Sequence, residues 1–170
     1  MKKPDPQIGQ IVRFDYLWRD EQMNGRTEGA KERPCAIVIA LRPDEKGDPS
    51  VMLAPITHAP PRSNQVSLEI PSQAKAATGL DEERSWLVLS EINLVKWSDA
   101  GIIPAHKGQW LYGALPRGLT VKAAAMVKED LKQSRAKIVD RREDVQRYAK
   151  QDRSAAAPPR KGRGDDERGR

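Results

Sequence analysis

A single cysteine, Cys35, in 170 residues leaves no partner for an internal disulfide and no cysteine cluster for a metal. So little cysteine fits a reducing cytoplasm, the compartment expected for this chain. Long apolar runs are missing too. Nothing approaches the roughly 20 residues that a helix needs to span a bilayer, so no membrane partner is expected. The basic start Met1-Lys2-Lys3-Pro4 has no apolar stretch behind it and does not read as a secretory leader. Histidine is scarce, and His106 has no metal-ligating neighbour in the sequence. Neither a metal nor a cofactor is expected, and no internal repeat is visible.

Charge is missing where it would be most informative. The net charge is +6, but acidic and basic side chains balance over residues 1–117, so the whole excess falls in 118–170. The high isoelectric point therefore says nothing about nucleic-acid binding by the first two thirds of the chain.

What is present is a series of short β-like segments. From Ile8 to Trp18 the chain alternates, with Val12, Phe14 and Tyr16 on one face. Arg19 to Glu32 is polar and reads as a loop of about 14 residues, a length often associated with function. Strands are expected at 34–41 and 50–56, joined by Arg42-Pro43-Asp44-Glu45-Lys46-Gly47-Asp48-Pro49, and another at Gln65–Ile70. Pro71 opens a helical turn that Gly79 ends. Trp86–Leu89 and Ile92–Trp97 read as one bent strand or two short ones, with both tryptophans in the core. Five to six such strands predict a mainly β fold, a small barrel or sandwich. From Leu119 the period changes. Val127, Leu131, Ile138 and Val145 fall on or near one face of a long helix over 118–151. Residues 152–170, rich in Ala, Pro, Gly and Arg, read as a disordered basic tail.

Two segments carry most of the chemistry: Arg33-Pro34-Cys35-Ala36-Ile37-Val38-Ile39-Ala40 and Val51-Met52-Leu53-Ala54-Pro55-Ile56-Thr57-His58. Paired as neighbouring strands, they bring Arg33, Thr57 and His58 to one rim. Guanidinium, hydroxyl and imidazole together suit a phosphate ester.

The order of the pieces resembles the MazF/PemK-type toxin family, metal-independent ribonucleases of toxin–antitoxin pairs. Ile8-Gly9-Gln10-Ile11-Val12-Arg13-Phe14-Asp15 resembles that family's opening strand, and Glu28-Gly29-Ala30-Lys31-Glu32-Arg33-Pro34 its first loop. Ala54-Pro55-Ile56-Thr57, Val66-Ser67-Leu68-Glu69-Ile70-Pro71 and Trp86-Leu87-Val88-Leu89-Ser90-Glu91-Ile92-Asn93 follow in the same order. Gly29, Lys31, Glu91 and Asn93 depart from the family pattern, the last standing where an arginine is usual, and His58 is an addition. The resemblance implies an SH3-like barrel over 1–117, a homodimer, RNA as substrate and a cognate antitoxin as partner.

It also implies roles for particular residues. Metal-free RNA cleavage uses the ribose 2′-OH as nucleophile, so a proton must leave it, charge must be offset on the phosphorane and the 5′-oxygen must be protonated. Arg33 suits the charge, with capping of its strand or pairing to Glu32 as the structural alternative. Thr57 would orient the phosphate, or simply end a strand. Glu28 and His58 are the candidates for moving protons; otherwise they are a solvated loop carboxylate and a loop imidazole held by Pro60 and Pro61. Trp18 is a candidate for stacking a splayed base, with core packing the alternative. Lys31 and Arg62 complete the expected RNA contacts. Cys35 reads as buried and inert. A different class of function also fits: a catalytically silent SH3-like module that binds RNA or a protein, with the helix as docking or dimerising element.

Overall fold

The computed structural model describes residues 1–142. The chain runs β1 (Gln10–Phe14), α1 (Arg19–Met23), β2 (Arg33–Ala40), β3 (Ser50–Thr57) and β4 (Ser67–Glu69). A 3-10 turn then leads into α2 (Lys75–Thr78), followed by β5 (Trp86–Val88), β6 (Glu91–Lys96), β7 (Ile102–Ile103), β8 (Leu111–Ala114), α3 (Arg117–Lys132) and β9 (Lys137–Asp140). The fold is mainly β, as the patterning predicted. Nine strands form the sheet instead of five or six: β7 is only two residues long, β8 is interrupted by Gly113, and β9 fell within the helical period read from Leu119. All ladders are antiparallel except β6 with β9, and no ladder among the described residues closes the sheet into a barrel.

β3 is the hub. Along one edge it pairs with β2, Cys35 facing Pro55. Along the other it changes partner. Ser50 to Leu53 pair with β6, whereas Ile56 and Thr57 pair with β5. Pro55 falls in the gap between those two ladders, a place a residue without an N–H can occupy.

Both faces of the central strands are buried, which explains their unbroken apolar runs. Ala36, Val38, Met52, Ala54 and Ile56 join one core under α3, where Ala123 and Val127 pack. Cys35, Ile37, Val51 and Leu53 join a second core with Val12, Phe14, Tyr16 and Trp97. The alternation slips once. The β2–β3 register shifts between Ile37 and Ile39, so Val38 and Ile39 both serve the first core. Cys35 is fully buried, and burial pushes its thiol well above the usual range, leaving it inert. Gly79 ends α2 at φ 65°, as expected, and a Cβ there would collide with the Tyr112 carbonyl.

The helix expected over 118–151 is corrected. It stops at Lys132, the chain reverses through Ser134 at φ 55°, and the Asp130 carboxylate takes the Arg135 guanidinium at 2.9 Å. Ile138 lies not on a helix face but on β9, opposite Ile92. Its heptad spacing from Leu131 was coincidental. Val145 and the predicted tail lie outside the described residues. Just past β9, the buried Arg141 side chain donates to the Asp15 carbonyl at 2.7 Å, to its carboxylate at 3.3 Å and to the Thr27 carbonyl at 3.2 Å. The loop expected at 19–32 contains α1, whose start is tied by the Trp18 N–H donating to the Glu21 carboxylate at 3.3 Å.

Two stability predictions follow from this packing. Arg141→Met leaves the partly buried Asp15 without its guanidinium and costs about 3 kcal/mol, read as a lowered urea midpoint. In the β2–β3 turn, Asp44 is held down to about 2 from 3.8 by the Lys96 ammonium and the Asp48 and Lys46 N–H groups. A depressed carboxyl contributes stability above its unfolded value and loses it as pH falls towards the folded one. Asp44→Asn should therefore flatten the acid limb of thermal stability between those two values.

Candidate functional site

Continuing the β2–β3 register beyond Cys35 and Pro55 sets Arg33 across from Thr57. Both line one cleft of about 400 Å³, together with Lys31, Pro34, His58, Asp81 and Ser85. The two strand ends singled out from the sequence therefore do meet on one concave face.

Arg33 is half-buried, and its guanidinium lies over the Trp18 ring at 5.3 Å. Its Nε is buried without a hydrogen-bond partner among the described residues. Pairing with Glu32 does not occur, because Glu32 accepts from Arg13 at 2.6 Å. The cleft thus holds an oriented cation with no carboxylate on it. The Thr57 hydroxyl accepts from the Ala59 N–H at 3.1 Å, which leaves its own proton to donate into the cleft.

His58 stands at the rim with both ring nitrogens on carboxylates, Nε2 at 3.0 Å from Asp81 and Nδ1 at 3.2 Å from Glu83. The loop that carries these carboxylates is fixed from below. The buried Lys75 ammonium donates to the Glu83 carbonyl at 2.7 Å and to the Ser85 hydroxyl. His58, Asp81 and Glu83 are also the described residues whose ligand atoms converge within 4.8 Å, all three exposed.

The other expected residues divide between two neighbouring clefts. Glu28 lines one of about 520 Å³ with Asp15 and Asp99, and Lys31 and Glu32 form the wall it shares with the Arg33 cleft. Trp18 and Arg62 line a third, of about 390 Å³, with Glu91 and Lys137. Trp18 also packs edge-on against Tyr16 at 4.9 Å, so stacking surface and core contact are combined in one ring.

Three positions at which the sequence departs from the family it resembles have defined surroundings. A Cβ at Gly29 would sit 2.3 Å from the Tyr16 carbonyl oxygen, so the loop can lie this close only with glycine. Asn93 is fully buried and binds both backbone groups of Leu17, accepting its N–H at 3.0 Å and donating to its carbonyl at 2.8 Å. That fixes the residue before Trp18. Glu91 is half-buried in the third cleft, and burial raises its carboxyl above the usual range. Asp81, Glu83 and Lys75 were not singled out by sequence reasoning, and Asn93 was noted only as a departure, without its structural part. The acidic run Asp81-Glu82-Glu83 is visible, but nothing in its spacing ties it to His58.

Comparison with family models, curated proteins and solved structures gives no match for this chain. The chemistry of the clefts has to be read from their own residues.

Asn93→Ala leaves a buried N–H and a buried carbonyl unsatisfied. It should cost about 2 kcal/mol in urea unfolding and shift tryptophan emission to the red as Trp18 loosens.

Proposed function

We propose that this protein is a toxin-like, metal-independent endoribonuclease of MazF/PemK type, a mRNA interferase acting in the cytoplasm as a homodimer under control of a cognate antitoxin. In this reading the open sheet is a divergent SH3-like barrel. The observation that carries the proposal is the opposition of Arg33 and Thr57 across one cleft, the guanidinium stacked and, among the described residues, unpaired.

Single-stranded RNA would lie with its scissile phosphate between them. The 2′-oxygen loses its proton, attacks phosphorus, and the bond from phosphorus to the 5′-oxygen breaks. A 2′,3′-cyclic phosphate and a 5′-hydroxyl result. Arg33 spreads the developing charge over its fork of donors, and Thr57 donates to one phosphoryl oxygen. His58 is assigned the proton transfers, one ring nitrogen turning from its carboxylate to the substrate while the other, held by Asp81 or Glu83, keeps the ring oriented. Glu28 lines the adjoining cleft and is left outside the reacting group. Lys31, on the shared wall, adds positive charge beside the phosphate.

The placement of Glu28 favours one second reading: a catalytically silent module that binds RNA or a protein through the same cleft. One experiment separates the two. Induced wild type should arrest growth, and purified protein should cut RNA in EDTA. Arg33→Ala should lose about a hundredfold or more in cleavage rate. Harmless wild type that leaves RNA intact while still binding it establishes the silent module instead.

A further inference from the structure

The third cleft is not used by the chemistry above, yet one stacked pair of side chains links the two. Trp18 lines this cleft, and the same indole carries the Arg33 guanidinium. A phosphate on Arg33 and a base on Trp18 are therefore within the reach of one nucleotide. Resting on the endoribonuclease reading, we propose that this cleft is a base subsite beside the scissile phosphate and that it selects guanine.

The choice of base follows from edges. Guanine alone among the four bases presents two adjacent donors, N1–H and N2–H, on its pairing edge. A carboxylate matches that pair with two parallel hydrogen bonds. Adenine and cytosine place an acceptor beside their amino donor, and uracil flanks one N–H with two carbonyls; each would set an acceptor against a carboxylate oxygen. Glu91, at the start of β6, supplies the carboxylate. Among the described residues its one hydrogen bond from the backbone is the long 3.5 Å contact from the Arg19 N–H, so a half-buried anion has acceptor capacity to spare. Burial already penalises its charge, and ligand donors would offset that penalty.

The adjoining edge of the base has candidate donors as well. Guanine O6 and N7 accept from guanidinium or ammonium groups. Arg62 lines the same cleft and makes no ion pair among the described residues, while Lys137 stands beside Glu91 as its register partner on β9. Stacking on the indole supplies affinity common to every base; the carboxylate supplies the choice. Glu91 was noted from the sequence only as a departure from the family pattern. Here it becomes a specificity determinant.

The test uses the full chain and fluorescent 2′-O-methyl tetranucleotides with one variable base among uridines. These lack a free 2′-OH, so binding is read without cleavage. The guanine oligonucleotide should bind about tenfold more tightly than its adenine, cytosine and uracil counterparts. Glu91→Gln should bring guanine down to the level of the others while leaving those unchanged, and Trp18→Phe should retain the preference. Circular dichroism checks that each variant is folded. Equal binding of all four bases, no binding of any, or a guanine preference that survives Glu91→Gln would overturn the subsite. Absence of cleavage on unmodified RNA, with the guanine preference intact, would overturn the endoribonuclease reading alone.

Discussion

The short stretch that follows β1 has no strand partner of its own, and its position decides that of both Trp18 and Arg33. Two long-range grips hold it. The Asn93 amide satisfies the Leu17 N–H and carbonyl, 76 residues away in sequence, and the Arg141 guanidinium takes the Asp15 carbonyl across 126 residues. Each grip exchanges buried backbone groups that would otherwise be unsatisfied for fixed geometry. The indole is thereby presented at a defined height above the end of β2. Loosen either grip and the stack on Arg33 depends on the Trp18 contacts with Tyr16 and Glu21 alone.

The sheet provides the other half of the arrangement. β3 serves two partners in succession along one edge, β6 and then β5, so its last residues leave the central layer and point Thr57 and His58 away from both cores. β2 enters at the same end with Arg33. An antiparallel pair necessarily puts the start of one strand beside the end of the other. The rim of polar chemistry is thus a direct result of which ends of two apolar runs carry polar residues, and the buried faces fix the register in which they meet.

That is also why this part was legible in advance. Arg33-Pro34 and Thr57-His58 are strand ends visible from hydrophobic patterning, and pairing them needs only a hairpin. Asn93 and Arg141 were not legible, because their partners lie far along the chain and neither sits in a pattern that announces a contact. β9 was concealed differently. Lys137-Ile138-Val139-Asp140 is four residues long, set among Lys, Arg and Glu, and its Ile138 happened to extend the spacing of Leu131. A periodicity seen at three or four positions cannot separate a helix face from a helix followed by a strand. Glu28 shows a different limit: a loop position places a residue near a site without settling which side of a wall it takes.

The contrast between two stacked arginines explains why the Arg33 cleft, and not the surface around Arg84, reads as a site. Arg84 lies over Trp86 at 5.0 Å much as Arg33 lies over Trp18, yet Arg84 also makes two hydrogen bonds to Glu69, at 2.8 and 3.0 Å. Its charge is answered within the protein. Among the described residues Arg33 has only the ring, which orients a guanidinium without neutralising it. The nearest acidic residue in sequence, Glu32, is engaged by Arg13 instead. A half-buried cation left unanswered among the described residues raises the free energy of the empty cleft, and in the proposed reading an incoming phosphate would lower it. The sequence-wide excess of positive charge has no part in this. What makes the cleft receptive is one arginine whose carboxylate has been taken by another.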